Sequence, residues 1–120
     1  MITPQAALSA AKAADIKGRL LNDFNFGGYL ISVGEPTFID GRAEFFGAER
    51  LDAVMKAVHA RDGDELTRFL DANRIDWTLL DANRPAIKVL DHLPGWQRIY
   101  GDADAVVHAR LPTQPQQTDG

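Results

Sequence analysis

Cysteine is absent from all 120 residues, which excludes disulfide scaffolding, thiol catalysis and cysteine-ligated metal centres. Its absence is compatible with either redox environment, so the compartment stays open. Serine is almost missing: Ser9 and Ser32 are the only two, and neither sits in a nucleophile-elbow context. No apolar run approaches the about 20 residues needed to span a bilayer. The opening Met1-Ile2-Thr3-Pro4-Gln5 has neither a basic n-region nor an apolar h-region. Gly27-Gly28 lacks the Gly-x-Gly-x-x-Gly spacing of a dinucleotide fingerprint, and no Walker pattern is present. His59, His92 and His108 show no metal-ligand spacing, so no metal and no cofactor are expected. The net charge of −4 provides no basic face for phosphate neutralisation, which argues against nucleic-acid binding.

What is present is an ordinary globular composition, 45% hydrophobic and 25% charged. One domain over 1–111 is the economical reading, with a polar Pro/Gln-rich tail at 112–120 expected to be disordered. Residues 6–16 are Ala-rich and read as a helix closed by Lys17 and Gly18. Short β-rich runs recur at 19–22, 36–40 and 76–80, the second entered by Pro36. Between them, residues 27–33 allow a short helix or an extended segment. Residues 43–60 carry an apolar helical face, and Asp64 is expected to cap a helix over 65–72. Pro85 opens a helix running to residue 93. Trp77 and Trp96 are expected to anchor the core. Residues 96–100 and 105–111 form a terminal hairpin around Gly101-Asp102-Ala103-Asp104. This order predicts a three-layer α/β fold: a mostly parallel sheet flanked by helices, with a C-terminal antiparallel hairpin.

Parallel strands would bring three polar clusters to one sheet edge: Asn22-Asp23-Phe24-Asn25, Asp40-Gly41-Arg42 and Asp81-Ala82-Asn83-Arg84. Carboxylates, carboxamides and guanidinium groups together suit a hydroxyl-rich or phosphorylated ligand. Candidate ligand-binding residues are Asn22, Asp23, Asn25, Tyr29, Asp40 and Arg42. The competing reading makes them helix caps, a turn glycine and a structural ion pair. No catalytic residue is assigned, because no carboxylate has a partnered nucleophile and no histidine has a visible orienting acid. The alternative is a small α/β enzyme acting on a glycosyl or phosphorylated substrate through Asp23 and Asp40.

The motifs resemble a known family. Asn22-Asp23-Phe24-Asn25-Phe26-Gly27-Gly28-Tyr29-Leu30, then Pro36-Thr37-Phe38-Ile39-Asp40-Gly41-Arg42 and Phe46-Gly47, are similar to the soluble C-terminal domain of bacterial GT-C glycosyltransferase-like polytopic membrane proteins. Ile75-Asp76-Trp77-Thr78-Leu79-Leu80, Gly95-Trp96-Gln97-Arg98-Ile99-Tyr100 and Asp104-Ala105-Val106-Val107-His108-Ala109-Arg110 extend the resemblance to about residues 10–111. Phe26 stands where that family usually has tryptophan. The missing membrane spans imply an excised domain, or a domain that also exists alone. A looser likeness links residues 22–27 to the W-W-D-Y-G region of oligosaccharyltransferase catalytic subunits. Agreement there is confined to glycine and aromatic positions, so acceptor-peptide binding is not carried over.

The resemblance implies an accessory domain with no active site of its own. It would sit on the extracytoplasmic, periplasmic face of the bacterial inner membrane. Its implied partners are the membrane-embedded part of the same native chain and a sugar or lipid-linked phosphate.

Overall fold

The computed structural model describes residues 3–38 and 48–111. The expected tail at 112–120 and the motif residues Asp40 and Arg42 lie outside the described residues. Helix α1 spans Gln5–Ala13, strand β1 Leu20–Asn22, and a 3₁₀ turn Phe24–Phe26 leads into α2, Gly27–Ser32. Helices α3 (Ala48–Val58) and α4 (Gly63–Ala72) precede β2, Trp77–Asp81. Helix α5 (Ala86–Asp91) and the hairpin of β3 (Trp96–Gly101) and β4 (Ala105–Arg110) complete the chain.

The sheet order is β1-β2-β4-β3. Strand β1 runs parallel to β2, with Leu21 opposite Thr78, whereas β4 is antiparallel to both β2 and β3. Three layers and the terminal hairpin match the expectation, but the sheet is mixed rather than mostly parallel. The difference arises at residues 36–38. Residues 36–38 form no strand, and β1 pairs directly with β2. The Phe38 amide that a strand would offer to a ladder is instead donated to the Asn22 side-chain carbonyl at 2.7 Å. The Phe38 ring lies edge-on to Phe69, with the Arg50 guanidinium 4.4 Å from its centre. The rest of that expected strand lies outside the described residues.

Period-two alternation splits the sheet between two cores. Leu20, Trp77, Leu79, Val107 and Ala109 face α1 and α2, packing on Ala7, Leu8, Ala11, Phe26 and Leu30. Leu21, Leu80, Trp96 and Val106 face α3, α4 and α5 through Val54, Val58, Leu66, Leu70, Ile87 and Leu90. Both tryptophans are buried, as expected.

Helix ends differ in detail from the pattern. Helix α1 stops three residues short of Ile16, because Asp15 takes a positive φ of 59° there. The amides of Asp15 and Ile16 then donate to the carbonyls of Lys12 and Ala11, a Schellman closure. Arg74 closes α4 in the same way at φ 55°. Gly18, expected as the cap, serves elsewhere. At φ +103° it lies against Asp76, where any Cβ would collide with the carboxylate that holds the Arg19 amide at 2.7 Å. The start of α4 is capped by the Asp62 carboxylate, which accepts from the Asp64 amide at 2.9 Å, so the cap precedes the expected Asp64 by two residues.

Candidate functional site

Because β1 and β2 are parallel, both deliver their carboxyl ends to the same edge. The loop from Asn22 and the loop from Asp81 therefore meet there. Asp23 extends the ladder by one bond, its amide donating to the Leu79 carbonyl at 2.8 Å. Its carboxylate then gathers four donors. The Asn25 amide reaches Oδ1 at 3.1 Å, and the Asp81 amide reaches Oδ2 at 3.0 Å. Arg84 adds a bidentate fork, Nε to Oδ2 at 2.7 Å and Nη2 to Oδ1 at 2.9 Å. A carboxylate has about four lone-pair sites, and all are used.

Asp23 is fully buried, and Arg84 keeps 16% of its side chain exposed. Burial alone would push the Asp23 carboxyl up. The Arg84 hydrogen bonds, the two amides and the guanidinium charge outweigh that and hold it below the usual carboxylate range. Asp23 is thus a clamp between two loops, with no proton to exchange near neutral pH and no path to solvent. The alternative role of acid/base carboxylate does not fit that environment.

Asn22 is equally buried. Its Oδ1 takes the Phe38 amide and its Nδ2 donates to the Asp23 carbonyl at 2.8 Å. Asn25 is exposed, and Tyr29 is half-buried one turn into α2. Asn22, Asp23, Asn25 and Tyr29 are thereby gathered on one continuous loop-and-helix segment, while Asp40 and Arg42 lie outside the described residues. The cluster at 81–84 does reach the expected edge. Arg84 is the guanidinium that answers Asp23, and the sequence signal for it was Asp81-Ala82-Asn83-Arg84 at the end of a parallel neighbour.

Sequence reasoning missed two further features. His59, just past α3, donates through Nδ1 to the Met55 carbonyl at 2.8 Å. In the neutral ring this leaves Nε2 as an acceptor, and the Arg84 Nη1 lies 3.5 Å away. The second feature is a polar row across the sheet. Thr78, His108 and Arg98 are ladder neighbours on β2, β4 and β3. Asp91, at the end of α5, accepts from His108 Nε2 at 2.8 Å and from Arg98 through Nε at 2.9 Å and Nη2 at 2.8 Å. The Thr78 hydroxyl and His108 Nδ1 are buried and find no hydrogen-bond partner among the described residues.

Between the 81–84 loop, α5 and β3 lies an open cavity of about 720 Å³. Arg61, Arg84, Lys88, Asp91 and Arg98 line it. Among the described residues no group of three His, Asp or Glu is placed to hold a metal ion.

These titrating groups act on stability with a defined sign. Burial pushes the His108 imidazole below its ordinary value, and Asp91 offsets this only in part. The unfolded chain therefore takes up a proton near pH 6.5 that the folded chain resists, so stability falls as pH drops below about 6.5. Asp91 is held at about 2, mainly by the Arg98 hydrogen bonds, and Asp23 is also lowered. Their contribution is complete above about pH 4 and is lost as pH falls through the folded values. Urea-unfolding midpoints from pH 8 to pH 3 are expected to fall in two stages. His108→Gln should remove the upper stage and keep the lower. A midpoint that is level between pH 7 and pH 5 in the parent chain contradicts this.

The fold is that of a small α/β domain with a four-stranded mixed sheet flanked by helices. It matches the crystal structure of the C-terminal globular domain of an oligosaccharyltransferase from Archaeoglobus fulgidus, with a TM-score of 0.60 at 9% identity. The match covers 88% of this chain and 94% of that domain. No protein-family model and no curated protein matches the chain.

Proposed function

We propose that this chain is a non-catalytic accessory domain of a membrane glycosyltransferase-like protein. In this reading it stands on the periplasmic face of the bacterial inner membrane and packs with the membrane-embedded part of the same native chain. The carboxyl edge of its sheet would meet sugar or lipid-linked phosphate groups. The observation that carries the reading is the fold likeness to an oligosaccharyltransferase C-terminal domain over nearly the full length of both chains. The motif resemblance over residues 10–111 points to the same kind of protein.

Chemistry at the edge supports a supporting role over a catalytic one. Asn22 and Asp23 are spent on fixing loops, so they shape the edge from behind. Asn25 and Tyr29 are the candidates on that segment with surface to offer a ligand. Asp40 and Arg42 join them in this proposal on the sequence pattern alone. Such a domain acts by placing a substrate near catalytic loops elsewhere, a gain of positioning rather than of bond-making. No helix among the described residues is long and apolar enough to cross a membrane, so the reading requires spans elsewhere in the native chain.

The test uses the uninterrupted native reading frame that contains this chain. Its product should stay with membranes through alkaline carbonate extraction. Protease added outside spheroplasts should then cleave the domain. Release as a soluble protein, or protection on the cytoplasmic side, overturns the proposal.

A further inference from the structure

The cavity beside the 81–84 loop carries a charge opposite to that of the molecule. The chain as a whole has 17 acidic and 13 basic side chains, yet Arg61, Arg84, Lys88 and Arg98 converge on this cavity against one lining carboxylate, Asp91. Asp23 is paired with Arg84 and Asp81 acts on it electrostatically, and even with both included the cations remain in excess. We propose that this cavity binds a compact phosphate group carrying two or more negative charges, a phosphomonoester or a diphosphate, with Arg61 and Lys88 as the closing cations and Arg84 as the fixed donor.

The hydrogen-bond pattern separates two kinds of cation. Arg84 and Arg98 are each locked by a bidentate carboxylate, Asp23 and Asp91 respectively. Two nitrogens of Arg84 are committed to Asp23, so the third, Nη1, is held in a set direction, 3.5 Å from His59 Nε2 and with a second N–H to offer. A donor fixed before the ligand arrives loses little freedom on binding. Arg61 and Lys88 are different: both are exposed, and neither has an ion-pair partner among the described residues. Lys88 lies three residues before Asp91 on α5, the spacing at which a helix pairs opposite charges. That carboxylate is already taken by Arg98 and His108. Lys88 is therefore left with an uncompensated charge in a concave setting.

Size and charge narrow the ligand. A cavity of about 720 Å³ lies within the usual range of small-molecule sites and has room for a diphosphate with an attached sugar. The overall charge of −4 repels an extended polyanion, whereas a local cationic concavity still favours a compact one. The inference deepens the reading above by naming the ligand class. It rests on that reading only for the source of the anion.

Pyrophosphate is the first probe, titrated into the ¹⁵N-labelled 120-residue chain at constant ionic strength. Saturable shifts should centre on the amides of Asn83, Arg84 and Lys88, with half-saturation below about 1 mM. Arg61→Gln with Lys88→Gln should weaken binding about tenfold or more while leaving the unfolding midpoint unchanged, since both side chains are exposed. Geranyl diphosphate then separates the sources. Binding clearly tighter than pyrophosphate assigns a lipid-linked anion, and equal binding assigns a free or sugar-linked one. Absence of saturation, equal shifts with sulfate, or binding indifferent to the double substitution overturns the proposal. That failure would leave the membrane-placement test untouched, because the latter reads location and no ligand.

Discussion

Arg84→Ala is expected to destabilise the chain by about 3–5 kcal/mol, the usual penalty for leaving one member of a buried ion pair behind. The Asp23 carboxylate, with no exposure, would keep the Asn25 and Asp81 amides and lose both charge-assisted bonds. Asp23→Ala should cost a comparable amount, because it also orphans those two amides and frees the 3₁₀ turn that follows β1. The double substitution should cost much less than the sum, since each single change already removes the same interaction. Urea unfolding of the two single variants and the double variant measures this directly. Losses below about 1 kcal/mol would place the pair with weak surface bridges instead. The outcome bears on function because the clamp joins the loops after β1 and β2, and with them Asn25 and the cavity-lining Arg84.

Phe26→Ala should be of similar size, about 3–5 kcal/mol, from lost burial plus the cavity left behind. Phe26 is 1% exposed and packs in the core that includes Leu30, Trp77, Leu79 and the small face of α1. Ala7 and Ala11 cannot collapse far into the space a phenyl ring vacates, so relaxation should recover little. Phe26→Trp tests the same site from the other side. Tryptophan is usual here in the family the motif resembles, but this core is closed around a smaller ring. Overpacking is expected to cost about 1–3 kcal/mol. Denaturation midpoints check both, and hydrogen exchange in α1 should quicken first in Phe26→Ala because that helix rests on this layer. A tryptophan accepted without loss would show slack in the core.

Particular residues show where sequence reading succeeds. Val54 and Val58 are spaced for the apolar face expected over residues 43–60, and both are buried in α3. The alternation of Val106 and Val107 sends them to opposite cores, as period-two patterning requires. The hairpin turn was legible from Gly101-Asp102-Ala103-Asp104, where the Asp102 carboxylate takes the amides of Asp104 and Ala105. Local chemistry decides each of these cases. Residues 36–38 depart from the expected strand for the opposite reason. They suit a strand, but a strand exists only where a neighbour offers a ladder, and at Phe38 the offer comes from the Asn22 side chain.

The site divides along the same line. Residue types and loop positions placed Asp23 and the 81–84 cluster on one edge, because parallel strands must end together. Which arginine would answer Asp23 was not readable, since the two are 61 positions apart. Nor was the dyad of Asp91 and His108, which exists because α5 docks its last residue against β4. Sequence by itself determined the layers, the helix faces, the terminal hairpin and the polar character of the carboxyl edge, all set by periodicity and short-range turn chemistry. Tertiary structure alone decided strand order, the pairing of Arg84 with Asp23, the commitment of Asp91 to Arg98 and His108, and hence the uncompensated charge on Lys88. Ion pairs form between whichever groups packing brings within about 3 Å, and packing is a property of the whole chain.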